Sequence, residues 1–280
     1  MPFREQVFSS ASTLVLFVSI TGCGAATPRE EARVVGVEEG LVEVAAQTVV
    51  IGSPEGEVGR DEDEGPLTEV VLSRFFVDRT PVTVAQLEAR WSEVIASEPN
   101  VRVVREDETP AEWVGRCNVG SARRDHPATC VSIEAARAFC SLRGMDLPTE
   151  AEREAFARGG ERAPHWWGET FDETHVVSSI ACGARGCRGS TEAVVTSGPR
   201  CNALGVCDVA GNVWEWTLTE YVPAHGLGSN VVPETLSSQT VIRGASWLDH
   251  EPRLFRSAMR GLAYPDHGLT HIGFRCVRRG

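Results

Sequence analysis

Alternating apolar and polar positions predict two strands near the start of the folded part of the chain. In residues 41–52, apolar and polar residues first alternate and are then followed by a run of β-branched residues. Gly52-Ser53-Pro54 ends this first strand. Residues 70–77 form the second strand. The acidic run 60–64 between them predicts a solvated loop, with a metal-binding acidic loop as the alternative.

The first predicted helix follows these strands. Thr83 is a residue type that caps helix N-termini, and Val84, Leu87 and Trp91 follow at the spacing of one helical face. The pattern predicts a helix of about ten residues that packs this face inward.

Two further helices have clear boundary signals. Ser132 can cap a helix that Gly144 ends, and Thr149 with Glu152 forms a capping box that opens a helix over 150–158. The apolar face of the first of these helices consists of Ile133, Ala136, Phe139 and Cys140. The rest of the chain is rich in turns and short strands, without an internal repeat. The pattern therefore predicts one loop-rich domain over 41–280.

The N-terminus resembles that of an exported protein. An apolar stretch over 7–20 follows Arg4 and is shorter than the ~20 residues of a membrane-spanning helix. It ends in Ile20-Thr21-Gly22-Cys23, which resembles a bacterial lipobox with Cys23 as the lipidated residue. We expect a signal peptide over 1–22, a tether over 23–40 and a membrane anchor through lipid. A plain signal peptide or a buried N-terminal helix is the alternative.

Composition excludes several classes of protein. The formal net charge is −12, and all 27 basic residues are arginine, since the sequence contains no lysine. A P-loop lysine and a Schiff-base lysine are therefore excluded. The acidic balance also argues against a nucleic-acid partner.

Nine cysteines fit an oxidising compartment. Without Cys23, eight remain, and an even number in an exported chain favours disulfide bonds. Short loops suggest three local pairs and leave a fourth: Cys117 with Cys130, Cys182 with Cys187, Cys201 with Cys207, and Cys140 with Cys276. The alternative for Cys182, Cys187, Cys201 and Cys207 is a zinc site, although their spacing is not CxxC-like.

Four segments, in order, resemble the formylglycine-generating enzyme (sulfatase-modifying factor) family. They are FFVDRTPVT at 75–83, CVSIEAARAFCSLRGMDLPTEAEREAFARGG at 130–160, GVCDVAGNVWEWT at 205–217, and VIRGASW with RSAMRG and IGFRCV at 241–277. The resemblance spans about 43–278. It implies an α+β, C-type-lectin-like core with two helices, irregular antiparallel strands and long loops. It also implies the Cys140–Cys276 disulfide.

The chain departs from the family at several positions. The family usually has Arg before LPTE, Trp after TEAE and an acidic residue after WEWT-x. This chain has Asp146, Arg153 and Thr219 at these positions.

The most informative departure concerns copper. Aerobic enzymes of the family oxidise a substrate cysteine with O₂. They use Cu(I) that is bound by two cysteines after the RGGS-aromatic motif. The matching positions here hold Asp249 and Leu254. Because a carboxylate and an aliphatic side chain do not replace two soft thiolates, we expect neither bound copper nor the copper oxidase activity.

The resemblance implies a structural calcium site. Its ligands would be the side chains of Asp208 and Glu215 and the carbonyl oxygens of Gly211 and Val213, which suits the hard oxygen ligands that Ca²⁺ prefers. The alternative is that Glu215 pairs with an arginine and Asp208 caps a turn.

The resemblance also maps a substrate groove onto Trp214, Arg243, Ser246 and Trp247. Core packing is an equal alternative for each Trp. Arg260 and Arg275 are expected in buried ion pairs.

Histidines give weaker candidates for another metal. His267 and His271 have a ligand-like spacing, but Gly268 and the adjoining strand disfavour a shared helical face. His250 beside Asp249 could also recruit a metal.

These features favour a lipid-anchored, non-catalytic binding protein of the bacterial cell envelope, on the outer membrane at its periplasmic or surface side. Its partner would be a peptide, a glycan or an envelope protein. The alternative is an oxidoreductase with an altered metal site, acting on a protein cysteine or another substrate. A structural envelope subunit is a third possibility.

Overall fold

The computed structural model describes residues 40–98, 117–181, 189–223, 230–265 and 268–280. They all lie within one compact unit, residues 37–280. The strands are β1 (Leu41–Val44), β2 (Gln47–Ile51), β3 (Thr68–Leu72), β4 (Phe75–Asp78), β5 (Trp214–Glu220), β6 (Thr240–Arg243), β7 (Arg260–Ala263), β8 (Ile272–Gly273) and β9 (Val277–Arg279). The helices are α1 (Val84–Glu88), α2 (Trp91–Ser97), α3 (Ile133–Leu142) and α4 (Glu150–Arg158).

The strands form three small sheets. One sheet has the order β1-β4-β9, a second is the β2-β3 hairpin, and the third has the order β7-β6-β5-β8. Every pairing is antiparallel except that of β5 with β8. Few short helices beside mostly antiparallel sheets confirm the α+β prediction. None of the described helices has the length and apolar character needed to cross a membrane.

The two predicted strands are each divided in two. The chain leaves the sheet of β1 at Ala45-Ala46 and enters the hairpin of β2 and β3, and it returns to the first sheet at Ser73-Arg74. Leu41 pairs with Asp78, whereas Gln47 pairs with Leu72. Both bends interrupt the alternation with two successive exposed residues, Ala45-Ala46 and Ser73-Arg74, but so short a break did not distinguish a bend from a continuous strand.

The helix predicted after Thr83 is also divided. Thr83 forms a capping box with Gln86, as its residue type indicated, and Val84 and Leu87 are buried. However, α1 ends at Glu88, and Trp91 starts α2 as a half-buried residue.

The boundaries of α3 and α4 are confirmed. The side chain of Ser132 accepts a hydrogen bond from the backbone N–H of Ala135, and Thr149 and Glu152 form the predicted capping box. At the C-terminal end of α4, Gly159 has φ +63°, the left-handed conformation that glycine adopts without strain.

Helix α4 is unusual because all nine of its residues are buried, although five are charged. Glu154 accepts from Arg158 at 2.8 Å and from Gly52 at 3.0 Å, and it also pairs with Arg243. Glu150 pairs with Arg260 at 2.7 Å. Because each charge has an opposite partner, the helix can lie inside the fold and join β6 to the hairpin.

The acidic run 60–64 is only in part the solvated loop that the sequence predicts, since Glu62 is exposed but the last residue of the run is not. Glu64 is fully buried and pairs with Arg256, whose Nη1 also lies 2.7 Å from Glu57. Burial by itself raises the pKa of Glu64, but hydrogen bonds from Arg256 and Ser53 outweigh it and hold that pKa below its usual value of 4.5. A charge run in the sequence did not show that one of its members meets an arginine nearly two hundred residues away.

Candidate functional site

The loop before β5 positions the candidate site. Gly211 has φ +78°, and a Cβ added there would lie 2.7 Å from the backbone N and O of Val177, so only glycine fits. Asn212 also has a positive φ, and its amide bonds both the N–H and the carbonyl of Glu192. These contacts fix the chain as it enters β5 at Trp214.

Asp249 lies at the centre of a hydrogen-bond cluster. Its Oδ2 accepts from the indole Nε1 of Trp214 at 2.9 Å, and from the backbone N–H and hydroxyl of Ser246 at 2.8 Å each. The Ser246 hydroxyl in turn accepts from the backbone N–H of Leu248 at 3.2 Å. This half-buried carboxylate is therefore held in one orientation at the position of the first copper cysteine.

The second copper position is equally unsuited to a soft metal. Leu254 lies in a 3₁₀ turn over Pro252–Phe255 and packs, partly buried, against the main hydrophobic core. A carboxylate and an aliphatic group at the two positions that the resemblance implies are poor ligands for Cu(I), and the absence of copper stays a prediction.

The described cysteines are all used in disulfides. Three predicted pairs are present: Cys117–Cys130, Cys140–Cys276 and Cys201–Cys207. The Cys201–Cys207 bond also removes these two residues from the alternative zinc site. Cys182 and Cys187 lie outside the described residues, as do Cys23 and the predicted signal peptide and most of the tether.

The predicted groove residues divide into two groups. Trp214 and Ser246 meet at Asp249. Trp247 is 1% exposed and donates from Nε1 to the Thr270 carbonyl at 3.3 Å.

Arg243, the fourth predicted groove residue, is 2% exposed and pairs with Glu150 and Glu154. Arg243 and Trp247 are thus buried, as is Ser246 at 0% exposure, so burial does not separate the predicted groove residues, and the groove stays a prediction. The expected buried ion pairs of Arg260 and Arg275 are present, with Glu150 and Glu215 respectively.

The Glu215 carboxylate has two arginine partners. Arg275 donates from Nη2 to Oε1 at 2.7 Å and from Nε to Oε2 at 2.9 Å, and Arg153 donates from Nε to Oε2 at 2.8 Å. All three side chains are at most 1% exposed. Burial lowers the pKa of Arg153 to about 10, so its guanidinium stays charged at neutral pH.

This arrangement does not fit calcium at Glu215. Two guanidinium groups occupy the carboxylate oxygens that would face the ion, and a third cation beside them would be repelled. The contacts match the alternative in which Glu215 pairs with arginine. Arg153 is also the residue that stands where the family usually has Trp. We derive no calcium chemistry from Asp208, Gly211, Val213 and Glu215.

One carboxylate oxygen of Asp208, Oδ1, is buried without a hydrogen bond from a described residue, which is a feature that suits a cation. Asp208 has φ +53° and lies almost fully buried, with Oδ2 accepting from the Val195 backbone at 3.2 Å. Arg200 Nε lies 3.3 Å from Oδ1, yet this oxygen receives no hydrogen bond from any described residue. Burial outweighs the attraction of Arg200 and raises the pKa of Asp208 to about 6.

The histidine candidates are not brought together with other ligands. No group of three or more His, Cys, Asp or Glu side chains suited to a metal occurs in the part of the chain that the structure describes. Burial lowers the pKa of His271, although Asp249 opposes the shift, and His267 lies outside the described residues. His250 is half-buried.

Sequence reasoning missed the role of Asp249 as an acceptor. The spacing Ser246-x-x-Asp249 was a usable signal, because short polar side chains at this spacing often bond across a turn. The Trp214 contact, over 35 residues, had no local signal.

Taken together, these features define a disulfide-stabilised α+β domain whose loops surround a fixed carboxylate. A model of the sulfatase-modifying factor enzyme 1-like domain family matches residues 25–280. The chain belongs to this family.

Individual relatives include active and inactive enzymes by name. The formylglycine-generating enzyme of Thermomonospora curvata is 30% identical over 285 residues, covering 86% of this chain and 94% of that protein. The inactive C-alpha-formylglycine-generating enzyme 2 of Mus musculus is 31% identical over 260 residues, covering 78% and 79%. The structure of PvdO from Pseudomonas aeruginosa superimposes with a TM-score of 0.68 at 29% identity, covering 86% and 94%.

Proposed function

We propose that this chain is a lipid-anchored, exported binding protein that has kept the scaffold of its family without the copper oxidase activity. The observation that carries the proposal is the hydrogen-bonded Asp249, which stands with Leu254 where two thiolates would be needed. Relatives named as inactive support the view that the scaffold persists without catalysis.

The ligand would be a peptide, a glycan or an envelope protein. Long loops on a core held by disulfides and buried ion pairs can present a recognition surface without affecting the stability of the core. Trp214, which is buried beside Asp249, would anchor the loops that carry this surface from within.

The test uses the full chain purified from membranes in detergent. A photo-crosslinking residue in place of exposed Tyr264 or Leu269 would mark a partner, whereas amine crosslinkers would fail because the chain lacks lysine. We expect one partner at near-equimolar yield and no stoichiometric copper or iron. Stoichiometric copper or iron, together with oxidation of a cysteine peptide, would favour the oxidoreductase instead.

The lipid anchor has its own test. Intact-mass measurement of the membrane-bound protein should give residues 23–280 plus lipid, and the C23S variant should retain residues 1–22 without lipid. A wild-type mass without lipid would contradict the anchor.

A further inference from the structure

A polar pocket lies beside the end of β4, and it shares no residue with the Asp249 cluster. Its volume is about 580 Å³, within the range of small-molecule sites. It is lined by Gly40, Asp78, Arg79, Thr80, Gln86, Arg143 and Thr196.

The acidic residue of the pocket is already neutralised. Asp78 forms a two-pronged ion pair with Arg143, at 2.6 and 2.7 Å, and its Oδ2 also accepts from the Cys276 backbone N–H at 3.0 Å. Such a bidentate pair leaves little acceptor capacity on the carboxylate.

Arg79 is positioned by its backbone rather than by its side chain. Its backbone N–H donates to Gly40 at 2.9 Å, and its carbonyl accepts from Cys207 at 2.8 Å and from Arg275 at 3.2 Å. The guanidinium has one contact, a 3.4 Å hydrogen bond to the Gly205 carbonyl, and no ion pair with a carboxylate of the described residues. Among the described residues, Arg79 therefore gives the pocket one positive charge without an acidic partner, in a chain of net charge −12.

The other polar groups of the wall are mainly donors. The Gln86 Oε1 caps α1 by accepting from Thr83 at 2.8 Å, which leaves its NH₂ group as a donor. The hydroxyls of Thr80 and Thr196 make no hydrogen bond with the described residues and can donate to a ligand.

Because the pocket has a surplus of donors and of positive charge, we propose that it binds an oxyanion through Arg79. This oxyanion would be a phosphate group or a carboxylate group. Guanidinium groups bind both kinds of group in a two-pronged geometry, and charge-assisted bonds of this kind are stronger than neutral ones. The site is separate from the proposed partner surface, so it would survive if that proposal failed.

The test is an NMR titration of full-length, ¹⁵N-arginine-labelled protein at constant ionic strength, with inorganic phosphate and with succinate. The Arg79 Nε–H signal is identified by its absence in R79Q. We expect the chemical shift of the Arg79 Nε–H signal to change and to reach saturation. The anion that binds more tightly shows whether the pocket prefers a phosphate or a carboxylate group. The affinity of R79Q is followed through the Nε–H signal of Arg143, which also lines the pocket, and it should be about tenfold weaker or more.

The matched control is R74Q, which removes the same charge from an exposed arginine 3.9 Å from Glu43. It should leave the affinity within about twofold, since its charge is screened by solvent. Three results would overturn the proposal. R79Q could bind the anion as tightly as the wild type, R74Q could lose as much affinity as R79Q, or neither anion could saturate the wild-type protein.

Discussion

The indole of Trp214 donates to the carboxylate of Asp249 across 2.9 Å, and this contact joins strand β5 to the loop after β6. The same Asp249 oxygen accepts two bonds from Ser246, so one carboxylate organises the region where the family's copper site would lie. Asp249 therefore serves as a structural acceptor at this point of the fold.

Replacing this acceptor should destabilise the domain. D249A leaves the donors of Trp214 and Ser246 without a partner, and we expect the free energy of unfolding to fall by about 2–3 kcal/mol. D249N keeps an oxygen acceptor and should lose about 1 kcal/mol. Urea unfolding monitored by tryptophan fluorescence measures both, and equal stability of D249A and wild type would refute the role of Asp249.

The charged interior of α4 makes a second prediction. E154A would leave Arg243 and Arg158 buried with less compensation, so we expect a loss of about 3–5 kcal/mol or failure to fold. E154Q preserves shape and some hydrogen bonds and should lose less. The control E93A, in an exposed pair with Arg90, should change stability far less. Denaturant unfolding measures the stability of the three variants. A loss of stability in E154A no larger than that in E93A would show that the buried ion pairs contribute little.

Stability should decline in acid through Glu64. Because the pKa of Glu64 is lowered below 4.5 in the folded state, its contribution is present above pH 4.5 and is lost as the pH falls through the lowered value. E64Q should therefore be less stable than wild type at pH 7, and the difference should shrink below pH 4.5. Unfolding free energies measured from pH 7 to 3 test this. A difference that does not vary with pH would exclude the link to Glu64.

Calcium should have little effect on the wild-type domain. Arg153 and Arg275 already compensate Glu215, so an excess of chelator should shift the melting temperature by less than about 2 °C. R153W returns the Trp that the family usually has and removes one competing cation, but Arg275 still bonds both oxygens of Glu215, so calcium should not raise the melting temperature of this variant either. Differential scanning calorimetry with calcium or chelator compares the two proteins, and a marked loss of wild-type stability in chelator would restore the calcium prediction.

The sequence predicted those parts of the fold that depend on local chemistry. The caps of α3 and α4 rest on Ser132 and Thr149, whose bonds span three residues, and Gly159 ends α4 as its residue type predicts. The bends at residues 45–46 and 73–74 were missed, because each breaks the alternation for only two residues, and such a short break does not by itself indicate a change of sheet.

The sequence alone shows that Asp249 and Leu254 stand at the two positions that the resemblance implies for copper, and the loss of copper binding stays a prediction. The burial of Arg243 among glutamates was not predictable, because its partners in α4 lie nearly ninety residues away and an isolated arginine has no local signal of burial.

The central claim is that this chain lacks the copper site of its family, and a Cu(I)-binding measurement tests it most directly. Full-length wild type and the D249C/L254C variant are loaded with Cu(I), desalted, and analysed for copper per chain. We predict almost no retained copper in the wild type, and about one copper per chain, bound by sulfur, in the variant that restores two thiols. One copper per wild-type chain, with sulfur ligands seen by X-ray absorption, would contradict the account.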